Sequence, residues 1–174
     1  MSDPFGKASV RRQYHVGARH ALRFTFVSAS LALLVACAPR QTETPLRDPE
    51  APFGATTRFD AVAFGGDWQV VASSAPGLTG VLSVSADGMD LTLPGGAGRP
   101  YALASAGVYQ SGNGSRMVVM WVDETFRTAV VGRADGAQAL LLSRTNTVPS
   151  DKRAAAFDVF DFYGWDTSRI KDRA

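Results

Sequence analysis

The sequence predicts a mostly β domain, an antiparallel sandwich or barrel, followed by a single helix packed outside it. Three observations carry this. From Arg58 onward, short apolar runs alternate with Gly, Asp, Ser and Asn clusters at roughly ten-residue spacing, the pattern of small all-β folds. Asp-Gly pairs suited to tight hairpins occur at Asp87-Gly88 and Asp135-Gly136. Apolar spacing takes on a helical period only after Pro149.

The chain begins with something other than that domain. Arg11, Arg12, Arg19, His20 and Arg23 precede an uncharged apolar run of 13 residues, Phe24 to Ala36. A basic segment, a short apolar segment and small residues at its end make an export signal. The run is too short for a bilayer-spanning helix, which needs about 20 residues. Its last residues, Leu34-Val35-Ala36-Cys37, resemble the bacterial lipobox. That resemblance implies cleavage before Cys37, diacylglyceryl transfer to its thiol and acylation of the new amine. Cys37 is the only cysteine, so no intrachain disulfide competes for it. Two or more acyl chains suffice for stable anchoring. Ala38 follows in place of Asp, which by the enteric sorting rule points to the outer membrane, on its periplasmic face.

Removal of residues 1–36 changes the composition. The 18 basic residues become 13 and the 16 acidic residues become 15, so the net charge moves from +2 to −2. The basic character belongs to the leader and gives no argument for nucleic-acid binding. Both histidines, His15 and His20, also leave. A Ser-His-Asp or Cys-His catalytic apparatus is thereby excluded, as are His/Cys zinc sites. Asp123 and Glu124 are adjacent and on a strand would face opposite ways, so they form no acid–base pair. No catalytic residue, metal site or cofactor is expected.

Residues 37–57 form the acylated Cys and a tether. Pro39, Pro45, Pro49 and Pro52 break any regular element there and favour an extended, partly polyproline-like chain. The domain is expected over 58–174. Gly66-Asp67 leads into Trp68–Ala72, and Ala75-Pro76-Gly77 makes a turn. Gly80–Ser85 alternates, Asp87-Gly88 turns it, and Met89, Leu91 and Leu93 share the next strand's face. Pro94-Gly95-Gly96 ends that strand. Residues 99–110 read as one more strand, closed by Ser111–Gly114. Arg116–Asp123 is strongly apolar, and Thr128–Arg133 and Gln138–Arg144 flank another hairpin. Pro149-Ser150-Asp151 starts a helix whose Ala156, Phe157, Phe160 and Tyr163 share one face, and Gly164 stops it.

Four segments in order resemble the lipocalin family, and with the lipobox its bacterial outer-membrane lipoprotein members. They are Gly66-Asp67-Trp68, the stretch Asp123–Gly132, the stretch Leu140–Thr145 with Arg144, and Gly164-Trp165-Asp166 after the helix. The resemblance implies an up-and-down barrel with one C-terminal helix outside. It also implies that Trp68 closes the narrow end with Arg144 across its face, Gly66 completing the motif, so that these residues plug the barrel and do not bind ligand. Lipocalins have eight strands, and the stretch from Trp68 to Asp123 looks short for its share. At least one strand, around residues 99–122, is expected to be shortened or lost.

The apolar run Met117–Val122 either forms a strand buried on both faces or lines a ligand cavity with one parity. That parity is Val118, Met120 and Val122, the candidates taken here, or else Met117, Val119 and Trp121. Methionine suits a promiscuous apolar pocket. The resulting expectation is a non-catalytic, lipid-anchored binding protein whose partners are the membrane and a small hydrophobic ligand of the fatty-acid or lysophospholipid class. The alternative is a structural or interaction module of the envelope with a filled barrel.

Overall fold

In the computed structural model the described residues are 44–75, 78–92, 98 and 100–173. Cys37, the leader and residues 38–43 of the tether lie outside them. Strands β1 (Gly66–Ser73), β2 (Val81–Val84), β3 (Gly88–Thr92), β4 (Pro100–Ser105), β5 (Val108–Ser111), β6 (Arg116–Val122), β7 (Thr128–Arg133) and β8 (Ala139–Ser143) pair antiparallel in sequence order. The sheet closes because β1 is shared. Its residues Gly66–Gln69 pair with β2, while Gln69–Ser73 pair with β8. A short β9 (Lys171–Asp172) adds to β1 at Ala72 and Ser73. The result is a closed eight-stranded barrel with one added strand and an external helix.

Of the expectation that a strand around residues 99–122 is shortened or lost, the shortening holds and the loss does not. Residues 99–110, read as one strand, hold the β4–β5 hairpin, with both strands short. The turn falls at Ala106-Gly107, where Gly107 has φ +71° and a Cβ would lie 3.1 Å from the Ala55 Cβ. Gly136 supports its hairpin with φ +73°. Gly88 works differently. Its φ is not positive, and a Cβ there would collide with the Tyr101 carbonyl, so closeness between β3 and β4 demands the glycine.

Apolar packing falls into two clusters, one on each side of the wall. Inside lie Phe64, Trp68, Val70, Leu82, Met89, Tyr101, Tyr109, Met117, Val119, Val122, Leu140 and Leu142, among others. Outside lie Val71, Ala72, Val118, Met120, Val130, Leu141, Ala156, Phe160 and Trp165. The long helix contacts β6 and β7 and supplies the outer cover. A shorter helix, α1 (Ala61–Phe64), precedes β1, capped by Asp60, whose carboxylate accepts from the Val62 and Ala63 amides. The long helix, α2 (Ser150–Phe162), buries Ala156 and Phe160 completely, with Phe157 and Tyr163 partly buried. It ends in a Schellman motif: Trp165 N–H donates to Phe160 O at 2.9 Å and Gly164 N–H to Asp161 O at 2.8 Å, with Gly164 at φ +78°.

Residues 44–57, expected as part of a tether, lie against the barrel. Thr44 onward belongs to the folded unit, so these residues are a strap on the barrel. Arg47 explains why. Its guanidinium donates to the carbonyls of Tyr163, Ala51 and Pro52 and lies over the Phe53 ring at 4.6 Å. Arg47 also bridges to Trp165 through the backbone, and Asp48 N–H donates to Gly164 O. Further along, Thr56 N–H donates to Val119 O on β6, just beyond the start of β5. Prolines prevent regular structure in the strap, yet its polar backbone finds partners on the barrel.

Candidate functional site

One end of the barrel is closed by a single arginine. Arg144, just past β8, sets its guanidinium 3.8 Å from the Trp68 ring centroid. The same group donates to Phe126 O, Asp67 O, Ala63 O, Phe64 O and Gly65 O at 2.6–3.3 Å. Three of these carbonyls lie at the C-terminal end of α1, where helix carbonyls lack intrahelical partners and favour a cation. Burial lowers the Arg144 pKa from its usual value, and the Asp67 carboxylate raises it in part. Trp68 is fully buried, and its indole N–H donates to Phe64 O at 2.9 Å. Gly66 is needed twice over: its φ is +94°, and a Cβ would lie 3.1 Å from Arg144 Nη1. Gly66, Trp68 and Arg144 therefore meet at one point.

The interior differs from expectation. Val118 and Met120, taken as lining residues, face outward into the cluster under α2, and only Val122 faces in. Met117 and Val119 take the inward parity, and a β-bulge in β6 then shifts it to Val122. Val119 pairs with Val131 but Trp121 pairs with Val130, so Met120 is the extra residue. Inward positions are thus Met117, Val119 and Val122, a set that neither strict parity predicts. β1 does the same at Val71, leaving Trp68 and Val70 inside and Val71 and Ala72 outside.

The polar group that matters inside is Tyr109 on β5, which the sequence reading did not single out. It is fully buried in the inner cluster, edge-on to Phe59 at 6.2 Å, and its hydroxyl has no hydrogen-bond partner in the structure. Burial pushes its pKa up to about 12. A buried hydroxyl without a partner costs about 1–3 kcal/mol. The signal that would have found it is the Ala106-Gly107 turn. Once that turn is recognised, Tyr109 pairs with Met117 and shares its inward face.

The acidic pair is structural. Asp123 and Glu124 lie in the β6–β7 turn, not on a strand. Buried Asp123 accepts from Arg127 N–H and Thr125 Oγ1, which holds its own loop. Exposed Glu124 accepts from Lys152 Nζ at 2.7 Å. A cleft of about 470 Å³ lies beside them, between that turn and the start of α2, lined by Thr125, Thr128, Ser143, Thr147 and Lys152. It is on the outer surface. Among the described residues no three His, Cys, Asp or Glu side chains form a metal-binding group.

No protein-family model matches the sequence, and no curated protein does. Among solved structures, the chain is similar to the bovine lipocalin allergen Bos d 2. The TM-score is 0.52 and the sequence identity 12%, over 66% of this chain and 94% of that one. At that identity the likeness is one of fold. Barrel closure through β1, strand order and the helix after β8 agree with it: the chain has a lipocalin-type fold.

Proposed function

We propose that this chain is a non-catalytic lipoprotein of the bacterial envelope, anchored through acylated Cys37 in the outer membrane, whose barrel holds a small hydrophobic ligand with a polar head. The fatty-acid and lysophospholipid classes fit best. The observation that carries this reading is Tyr109. Its unpartnered hydroxyl is set in an otherwise apolar interior, and a ligand's carboxylate or ester oxygen would accept its hydrogen bond. Pockets of this kind enclose a ligand in apolar walls and use a few polar groups for orientation. Met89 and Met117 on the same inner face can change rotamer to admit a chain.

The test is uptake of a fluorescent fatty acid and a fluorescent lysolipid by the delipidated full-length mature protein. Saturable binding is expected, with Tyr109→Phe weakening it about tenfold, the cost of one lost hydrogen bond to a charged group. Absence of saturable binding by either probe sinks the reading.

A second reading has its own observation. Trp68, Phe64, Tyr101, Tyr109 and Met117 pack against one another inside a barrel with short strands. Such an interior can serve as a solid core, and the protein then acts through its outer surface as a structural or interaction module. The same titration separates the two readings.

A further inference from the structure

The two ends of the barrel differ in their relation to the chain that precedes the fold. Gly66, Val84, Gly107, Val122 and Arg144 mark the closed end. The opposite end, the mouth, carries the β5–β6 turn at Gly112–Ser115 and the β7–β8 turn at Ala134–Gln138. Thr44, the first residue of the folded unit, sits on the mouth side. Its carbonyl accepts from Arg169 Nη1, and three residues on, Arg47 lies against the β7–β8 turn, where a Cβ on Gly136 would be 3.2 Å from the Arg47 Cβ. From there the strap runs down the outside to Ala55, which packs by Gly107 at the closed end.

Cys37 is seven residues before Thr44. Seven residues reach about 25 Å when fully extended. The barrel itself is about 20 Å long, from the rise along a seven-residue strand such as β6. An anchored chain leaving from the mouth side therefore brings the mouth to the bilayer without stretching. Presenting the closed end would need nearly the full extension and its entropy cost.

A second observation lies beside the same point. Phe162, the last residue of α2, is 65% exposed, one of two large apolar side chains so exposed among the described residues. Its ring stacks edge-on with Tyr163 at 5.1 Å, and the Tyr163 carbonyl accepts from Arg47 Nε. Exposed Arg116, Arg169 and Lys171 stand around the same end among exposed Asp135, Asp166 and Asp172, so the charge there is mixed and the ring is the membrane-favouring group. Aromatic rings at the headgroup level favour a membrane surface.

We propose that the mouth of the barrel, with Phe162 beside it, rests on the bilayer that holds Cys37, so that a lipid passes between membrane and barrel without crossing water. This rests on the acylation of Cys37 proposed above.

The mature chain has no other cysteine, so single labels can be placed once Cys37 is acylated. Ala137→Cys and Asn113→Cys mark the mouth; Ala86→Cys and Asp87→Cys mark the closed end. All four positions are exposed. Each full chain, processed in a bacterial envelope, is labelled with a fluorophore and placed in phosphatidylethanolamine–phosphatidylglycerol vesicles containing a nitroxide-headgroup lipid. Strong quenching at Ala137 and Asn113 and weak quenching at Ala86 and Asp87 is expected, with Phe162→Ser reducing the mouth signal. Intact mass and flotation are read on the same samples. A chain without the lipid mass that fails to float overturns the anchor, and this proposal with it. A lipidated, floating chain quenched equally at both ends, or more at the closed end, overturns the orientation alone and leaves the mouth face to a protein partner.

Discussion

The barrel wall has two halves that obey different rules. β7 and β8 are buried on both faces, and β6 nearly so, because the inner cluster lies on one side and α2 with Trp165 on the other. β2, β4 and β5 are buried on the inside only, and their alternate residues, such as Ser83, Ala102 and Gln110, face water. Alternation of apolar and polar residues therefore reports orientation in one half and is lost in the other. A residue's neighbour in sequence is equally important in the two-sided half and nearly irrelevant in the one-sided half.

The largest expected effect tests that difference directly. Leu141 faces out and Leu142 faces in, and both are fully buried. Leu141→Ala and Leu142→Ala are each expected to cost about 2–5 kcal/mol, the range for buried Leu truncation. In β5, Gln110→Ala beside buried Tyr109 is expected to stay within about 0.5 kcal/mol. Urea unfolding of the mature chain measures all three. If Leu141→Ala costs no more than Gln110→Ala, the outer cover adds nothing and the two halves are alike.

The same difference decides what could be read in the sequence. In the one-sided half alternation marks β2, whereas β4 and β5 read as a single strand over 99–110; the helix is legible from its period and from Gly164. Trp68 and Arg144, from two of the four motif segments, are in contact. What could not be read lies where both faces are apolar. Met117 to Val122 shows no polar residue to mark the outside, and the bulge at Met120 defeats any fixed parity. Arg47 was hidden for another reason. Its partners are backbone carbonyls far along the chain, and a carbonyl leaves no mark in the side-chain sequence.

The second expected effect compares the barrel ends. Arg144→Met removes hydrogen bonds to five carbonyls, three of them partly buried, and the contact with Trp68. A loss of about 2–4 kcal/mol is expected, with a change in the near-ultraviolet dichroism of Trp68. Arg116→Met at the mouth removes an exposed side chain and should change stability by less than about 0.5 kcal/mol. Equal losses from the two substitutions would mean that closure does not depend on Arg144. Arg144→Lys should lie near Arg144→Met, because an ammonium has no planar fork to span several carbonyls at once.

The smallest effect among the buried positions belongs to Tyr109, and it changes with pH. Tyr109→Phe removes a buried hydroxyl that has no partner, so stability near pH 7 should rise by about 1 kcal/mol, the low end of what such a group costs. The native pKa is pushed up to about 12 by burial, above the ordinary value of 10.0. The unfolded chain then gives up its proton first as pH rises. The stability linked to this group is fully present below pH 10 and is lost as pH climbs through 12. Tyr109→Phe should flatten that alkaline loss in the folded chain's denaturation profile. Tyr109 lies in the inner cluster, so its shift comes from the packing around it there, and that makes Tyr109 a reporter of what fills the barrel. A bound fatty acid that accepts the hydroxyl's hydrogen bond holds the neutral form and moves the loss to higher pH. An alkaline profile unchanged by a saturating fatty acid would place the ligand away from Tyr109 and shift weight to the solid-core reading.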